Sequence, residues 1–351
     1  MFSKTLHAFS IVFFISFFSL ADAKKNSQDD KVDIGGMIMH HILDDYGYEI
    51  MEGVVIPLPV ILYSKETGLD IFSSSKLFDK DHIALSEGYK GYYYDHGHIK
   101  SIDNSRSFYD FSITKNVAFL ILNAFLILLI FLNVARGYKS KISAPSGLQS
   151  FFEPIILFVR DNIVKPNIGK HYEKYLSYML TLFFFIFFGN ILGLLPAAAN
   201  LTGNIAVTMI LAILTFLITN FSGNKNYWKH IFWTPNVPNV MRIIILPIEI
   251  IGVFTKPFSL MIRLFVAITA GHIVLLSFIG MTFIFQSYFV GILSALFAVA
   301  LNIIELLVAA IQAYVFTMFS SVYIGLAIEE EHEKIFMLNF KIDNYDWFIN
   351  T

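Results

Sequence analysis

The sequence predicts an all-α polytopic membrane protein with five membrane-crossing helices, and three observations carry that reading. Hydrophobic residues make up 56% of the 351 residues and charged residues 15%, against roughly 45–50% and 25% in soluble domains. Five apolar runs follow residue 116, each near or above the ~20 residues that cross a hydrocarbon core of about 30 Å. The last two runs exceed 40 residues, so they must tilt strongly or lie partly along the membrane. The chain has no cysteine, which excludes disulfides, thiol nucleophiles and thiolate metal sites. A net charge of −2 leaves no electrostatic footprint for a nucleic-acid partner.

Residues 1–23 have the layout of an export signal. Lys4 and His7 precede the apolar run Phe9–Leu20, and Ala21-Asp22-Ala23 gives a small-x-small cleavage site. An uncleaved anchor is the alternative, but about 12 apolar residues are too few to span a bilayer. Residues 24–112 are polar, with a small strand-and-turn character. The stretch Val54–Tyr63 contains Pro57 and Pro59, and prolines cannot donate to a ladder, so it is expected as an edge strand. His40, His41, His82, His96 and His98 lie in this region. Solvent-facing positions account for them better than a metal site, and no function is legible here.

The first span runs from Val117 to Val134 and ends on Arg136, Lys139 and Lys141. Before the second span, Phe151, Phe152, Ile155, Ile156, Val159 and Ile163 recur at helical spacing, with Arg160 and Lys165 opposite. That pattern predicts an amphipathic helix lying on the membrane surface. The second span is Leu176–Leu195 and the third Ile205–Phe221. The fourth, Arg242–Phe285, contains Pro247 and Pro257; the fifth is Tyr288–Ile328.

The distribution of Lys and Arg sets the orientation. Seven lie in 135–175 and three in 222–242, whereas 196–204 and 286–287 have none. The mature N-terminus is therefore expected outside and the C-terminus inside, with residues 336–351 as a cytoplasmic tail.

The two long runs carry Glu249, Arg263, His272 and Glu305, with Gln312 nearby. One charge at mid-bilayer costs about 2.5–3.5 kcal/mol on insertion scales. Four ionisable groups on two consecutive helices are hard to explain as packing. On an ideal helix Glu249 and Arg263 share a face and lie roughly 21 Å apart, while His272 falls on the opposite face, roughly 14 Å further along. Glu305 and Gln312 are seven apart and share a face. Carboxylates and imidazole relay protons near neutral pH, but arginine stays protonated. The pattern points to a proton path interrupted by a fixed cation, with two half-paths and a mobile carboxylate from elsewhere. An Arg263–Glu bridge joining two helices is the plain structural alternative.

The stretches Thr255-Lys256-Pro257-Phe258-Ser259-Leu260-Met261-Ile262-Arg263-Leu264-Phe265 and Ala310-Ile311-Gln312-Ala313-Tyr314-Val315-Phe316 resemble subunit a of the F-type ATP synthase membrane sector. Asn190–Pro196 and Thr202–Thr208 support the match, which covers about residues 117–335 within a membrane domain placed at 113–335. The extended N-terminus with a signal peptide resembles the version found in Bacteroidetes-type bacteria.

The resemblance implies a proton-channel stator subunit facing a ring of c subunits. Further implied partners are the b-subunit peripheral stalk and the rest of the F-type ATP synthase, in the cell inner membrane. Arg263 matches the family's essential arginine, Gln312 the glutamine facing it, and Glu249 the acidic residue of the cytoplasmic half-channel. Asn190, Asn204 and Ser259 match polar positions at or near the channels. No cofactor or metal is implied, and ATP chemistry would belong to partner subunits.

The match has departures. Ala267 stands where Asn is frequent, and Gly193 where an acidic residue is frequent. His272 and Glu305 reverse the commoner order of Glu and His, and the exchange predicts that the two side chains touch.

Two other readings remain open on the residues alone. A secondary ion-coupled transporter would show inverted repeats and broken helices in both halves, and the halves here differ in length and polarity. A structural scaffold would not need four intramembrane ionisable groups. No G-x-x-x-x-G-K-[ST] loop is present to support nucleotide hydrolysis.

Overall fold

A computed structural model describes residues 44–51, 54–79, 85, 88–95, 97–103, 107–140, 147–195, 199–233 and 238–329. The expected signal peptide (1–23), the tail (336–351) and His40, His41, His82 and His96 lie outside the described residues.

The N-terminal part is a small β module. Strands β1 (Gly47–Met51) and β2 (Val54–Pro57) form one antiparallel pair. Strand β3 (Pro59–Ser64) is the middle of a three-stranded antiparallel sheet, flanked by β4 (Gly68–Ser73) and β7 (Phe108–Asp110). Strands β5 (Tyr92–Asp95) and β6 (His98–Ser101) make a hairpin, and His98 lies on it.

The expected edge strand over Val54–Tyr63 is corrected here: it is two strands, and the second is central. The reason is where the prolines fall. Pro57 closes β2 and Pro59 opens β3, so neither missing N–H interrupts the interior of a ladder. The N–H of Leu58, between them, donates to the carbonyl of Tyr46 at 3.2 Å and to Ser74 Oγ at 3.0 Å. The period-two alternation buries Val60, Leu62 and Ser64 on one face. There Val60 and Leu62 join Tyr46, Phe72, Leu77 and Tyr92 in a separate apolar core.

Helix α1 (Lys115–Ser140) begins directly after the sheet. The backbone N–H of Asn116, one of the donors a helix start leaves unpaired, donates to Asp44 Oδ1 at 3.0 Å. Helix α2 (Leu148–Phe158) runs into a π-helical turn, Val159–Val164. The expected apolar stripe is real, and Phe152, Val159 and Ile163 are buried against the bundle itself. Phe152 packs on Phe131, Phe184 and Phe188.

Helix α3 (Tyr172–Gly193) and helix α4 (Ile205–Ser222) follow, and then the short basic helix α5 (Lys225–Phe232). Helix α6 (Asn239–Phe285) has 47 residues and continues through Pro247 and Pro257; helix α7 (Tyr288–Ile328) has 41. At 1.5 Å per residue these reach roughly 70 and 60 Å, about twice a hydrocarbon core.

Among the described residues, five helical segments are long and apolar enough to cross a membrane: Lys115–Tyr138, Leu148–Gly193, Ile205–Ser222, Met241–Thr282 and Tyr288–Ile328. Large apolar side chains stay exposed along them, Ile121, Phe125, Ile210, Ile248, Phe254 and Leu307 among them. A soluble monomer rarely presents so much apolar surface, and a lipid-embedded one must.

Helix α7 is the hub. It packs against α3, α4, α6 and the π turn. Its buried side chains are mostly small: Ser294, Ala298, Ala309, Ala313, Ser320, Ser321 and Ala327. Small residues let helix backbones approach, which is how packing is gained where lipid removes the hydrophobic driving force.

Candidate functional site

The ionisable groups gather along the seam between α6 and α7. Glu249, Lys256 and Arg263 lie at intervals of seven on α6, so they share one face. The opposing face of α7 offers Phe319 and Tyr323, one turn apart. The Arg263 guanidinium sits 4.2 Å from the Phe319 ring centroid, and Lys256 Nζ sits 5.6 Å from that of Tyr323 and 6.0 Å from that of Tyr227.

Arg263 is half-buried, and among the described residues no carboxylate lies within 4.0 Å of it. The intrachain Arg263–Glu bridge that the sequence allowed is therefore not made among the described residues. A cation–π contact gives about 0.5–2 kcal/mol, less than the insertion cost of a membrane cation. The site is electrostatically incomplete as the chain stands.

Further along the seam, His272 Nδ1 and Glu305 Oε1 are 2.9 Å apart. The contact predicted from their exchanged order is present. Glu305 is 4% exposed and His272 9%. Gly271 lies beside the pair, and a Cβ there would sit in ordinary contact, 3.4 Å from Glu305 Oε1. The second oxygen, Oε2, is buried and has no hydrogen-bond partner among the described residues. A proton on that oxygen, or a donor from outside the chain, is what would complete its shell.

Glu249, at the other end, is 3.8 Å from His230 Nδ1, within ion-pair range but beyond a hydrogen bond. His230 comes from α5, and so does Tyr227. Burial, and then the nearby Glu249 carboxylate, push the Tyr227 hydroxyl above its ordinary pKa. A small cavity beside these groups is lined by Thr219, Asn220, Tyr227, Lys256 and Tyr323. Pro257 leaves the carbonyl of Val253, also on this cavity, without its helical donor.

The remaining predicted positions divide by role. Asn190 is buried; its amide donates to the carbonyl of Ala309 at 3.2 Å, and its oxygen accepts from Thr202 at 2.6 Å. It thereby ties α3, the 201–203 turn and α7 together. Asn204 caps α4, accepting from the N–H of Ala206 at 2.9 Å. Ser259 is half-buried, one turn before Arg263 on the same side of α6. Gln312 is half-buried on α7, and among the described residues it makes no hydrogen bond to Arg263.

Sequence reasoning missed His230, Tyr227, Phe319 and Tyr323, and it gave Lys256 no role. The run Lys225-Asn226-Tyr227-Trp228-Lys229-His230 was legible only as a basic loop. Its placement against α6 is a tertiary fact.

Fold and site together define a polytopic membrane protein with charged groups set between its two longest helices. The family model described as ATP synthase A chain matches residues 117–325, and the chain belongs to that family. A second model, described as Domain of unknown function (DUF8433), matches residues 37–119.

Among curated proteins, the chain is 42% identical over 230 residues to an ATP synthase subunit a of Chloroherpeton thalassium, covering 64% of this chain and 68% of that one. It is 47% identical over 227 residues to an ATP synthase subunit a 2 of Chlorobaculum tepidum, covering 62% and 64%. It is 34% identical over 318 residues to an ATP synthase subunit a of an Anaeromyxobacter species, covering 85% and 73%.

Proposed function

We propose that this chain is the proton-channel stator subunit of an F-type ATP synthase. In this reading two offset half-channels carry protons to and from carboxylates on a c-subunit ring, which turns past Arg263. The b-subunit peripheral stalk holds the chain still against the rest of the complex. The protein sits in the cell inner membrane with its mature N-terminus outside and its C-terminus in the cytoplasm. The chain is one subunit and does no ATP chemistry itself.

The observation that carries the reading is the lone guanidinium. Arg263 stands in an apolar helix with an aromatic ring beside it and, among the described residues, no carboxylate within 4.0 Å. A carboxylate arriving from a neighbouring subunit would gain about 4 kcal/mol at 4 Å in a medium of effective dielectric near 20. That attraction favours the charged carboxylate, so a ring acid gives up its proton as it nears Arg263 and regains one beyond it. Because arginine does not deprotonate, no proton leaks straight across.

His272 and Glu305 form the relay on the outer side, since a carboxyl group and an imidazole 2.9 Å apart can pass a proton between them. Glu249, with His230, Tyr227 and Lys256 around it, forms the cytoplasmic side. Asn190, Asn204 and Ser259 then shape the walls, with Gln312 on α7 flanking the arginine.

The test is Arg263→Ala in reconstituted membranes containing the whole complex. Insertion and assembly should persist while coupled ATP synthesis is lost. Undiminished synthesis would overturn the proposal.

A further inference from the structure

Among the described residues, nothing covers the outer face of the three-stranded sheet. Strand register puts Ile61 opposite Ile71, and Tyr63 opposite both Leu69 and Tyr109. Phe111 continues β7 and donates its N–H to the carbonyl of Ile61 at 2.9 Å. These six side chains therefore occupy one face. Five of them are well exposed: Leu69 59%, Ile71 58%, Tyr109 63%, Phe111 64% and Tyr63 43%. The opposite face holds the module's core, so the patch is not left over from poor packing. A sheet with two apolar faces is normally covered on both.

The chain's own geometry says what covers it. Phe111 lies four residues before the start of α1 at Lys115. That short connection is pinned: Ile113 N–H donates to Pro59 at 3.1 Å, Lys115 N–H to Asp45 at 2.8 Å, and Asn116 N–H to Asp44 Oδ1 at 3.0 Å. The sheet is fixed to the end of a membrane-crossing helix and cannot lift away on a linker. The apolar surface of α1 resumes at once with exposed Val117, Ile121 and Leu122, so only this short pinned connection separates the patch from a lipid-facing surface along the chain. Its composition, aromatic and aliphatic with tyrosine hydroxyls, is that of residues anchored at the membrane–water boundary.

We propose that this sheet face lies in the interfacial layer of the lipid bilayer, anchoring the module flat beside α1. The inference depends on α1 crossing the membrane and not on the ion-transport role.

The absence of native cysteine makes single-cysteine labelling clean. Leu69→Cys, Ile71→Cys and Tyr109→Cys, made separately in the full chain, would each carry a polarity-sensitive fluorophore. Lys100→Cys on β6 is the control. The proteins are reconstituted into phosphatidylcholine–phosphatidylglycerol vesicles doped with lipids bearing a shallow nitroxide. Interfacial seating predicts blue-shifted emission at the three sheet positions and quenching by the nitroxide well beyond that at Lys100→Cys. Water-like, unquenched emission at all three positions overturns the proposal. So does blue-shifted emission that the lipid nitroxide does not quench, because that marks a protein cover, whether another subunit or a second copy.

Discussion

Glu305 and His272 show how two ionisable residues are held together inside an apolar bundle. An isolated carboxylate there would be prohibitively costly; a hydrogen-bonded partner at 2.9 Å offsets much of that cost. The open oxygen Oε2 keeps one position available for a proton. If the pair works as a unit, its two deletions cannot be independent. His272→Ala and Glu305→Ala should each slow proton transport less completely than Arg263→Ala, and the double mutant should be little worse than either single one. The interaction energy from the cycle should be roughly 1–3 kcal/mol. Exchanging the two residues, His272→Glu with Glu305→His, should recover much of the rate, because the relay chemistry is symmetric in the two groups. ATP-driven acidification of inverted vesicles measures all four. Strict additivity would mean that the residues serve separate paths.

At the scale of elements, close approach matters more than propensity. Ser321 Oγ and the Asn167 side chain both donate to the carbonyl of Ile163 in the π turn, at 3.1 and 2.7 Å. Gly325 lies beside the same segment, and a Cβ there would overlap the backbone oxygen of Asn167. Backbone cannot swing aside as a flexible side chain can. Gly325→Ala should therefore cost about 1–3 kcal/mol, read as a lower thermal midpoint in detergent, while Gly252→Ala, with nothing within 4 Å of the added Cβ, should not. Equal midpoints for the two variants would show that the π turn is not docked as described.

The same elements show what the sequence could and could not disclose. Helices α6 and α7 were legible to within a few residues, because a long apolar run has no other stable form in lipid. The His272–Glu305 contact was legible from the exchanged order of the two residues. The centrality of β3 was not, because a proline count says nothing of whether the prolines fall at strand ends. Nor was His230 beside Glu249, nor Phe319 beneath Arg263. These contacts join residues 19 and 56 positions apart, and no local pattern encodes how two helices are turned toward each other. Asn123 was hidden for a similar reason. It sits fully buried in α1 and donates to the carbonyl of Phe185 on α3 at 3.1 Å, a polar link that an apolar run masks.

On the scale of the whole molecule, the β module and the helices meet at one polar junction. Asp44 caps α1, and the Asp45 side chain accepts from the Tyr94 hydroxyl at 3.1 Å. Tyr46 donates its hydroxyl to Asp110. Burial, followed by the hydrogen bond to Asp110, raises the Tyr46 pKa well above its ordinary value; burial and the charge of Asp45 do the same for Tyr94. Both groups are favoured neutral in the folded module. A raised folded pKa contributes stability that is complete below the unfolded value, near 10, and is lost as pH climbs toward the folded one. The module should therefore keep these two phenols neutral past the unfolded value, and should then open in a late, cooperative alkaline step. The helices have no such dependence through this junction, so far-UV circular dichroism should change little while near-UV signals from the module collapse. Phenolate absorbance followed alongside both signals is the measurement. Tyr46→Phe should remove part of the late step, because the hydroxyl that titrates is gone. Asp44→Ala should leave the step in place while loosening the start of α1 by about 1 kcal/mol. If all tyrosines ionised together near pH 10 with the module intact, the junction would not be buried and would not carry the connection between the two halves.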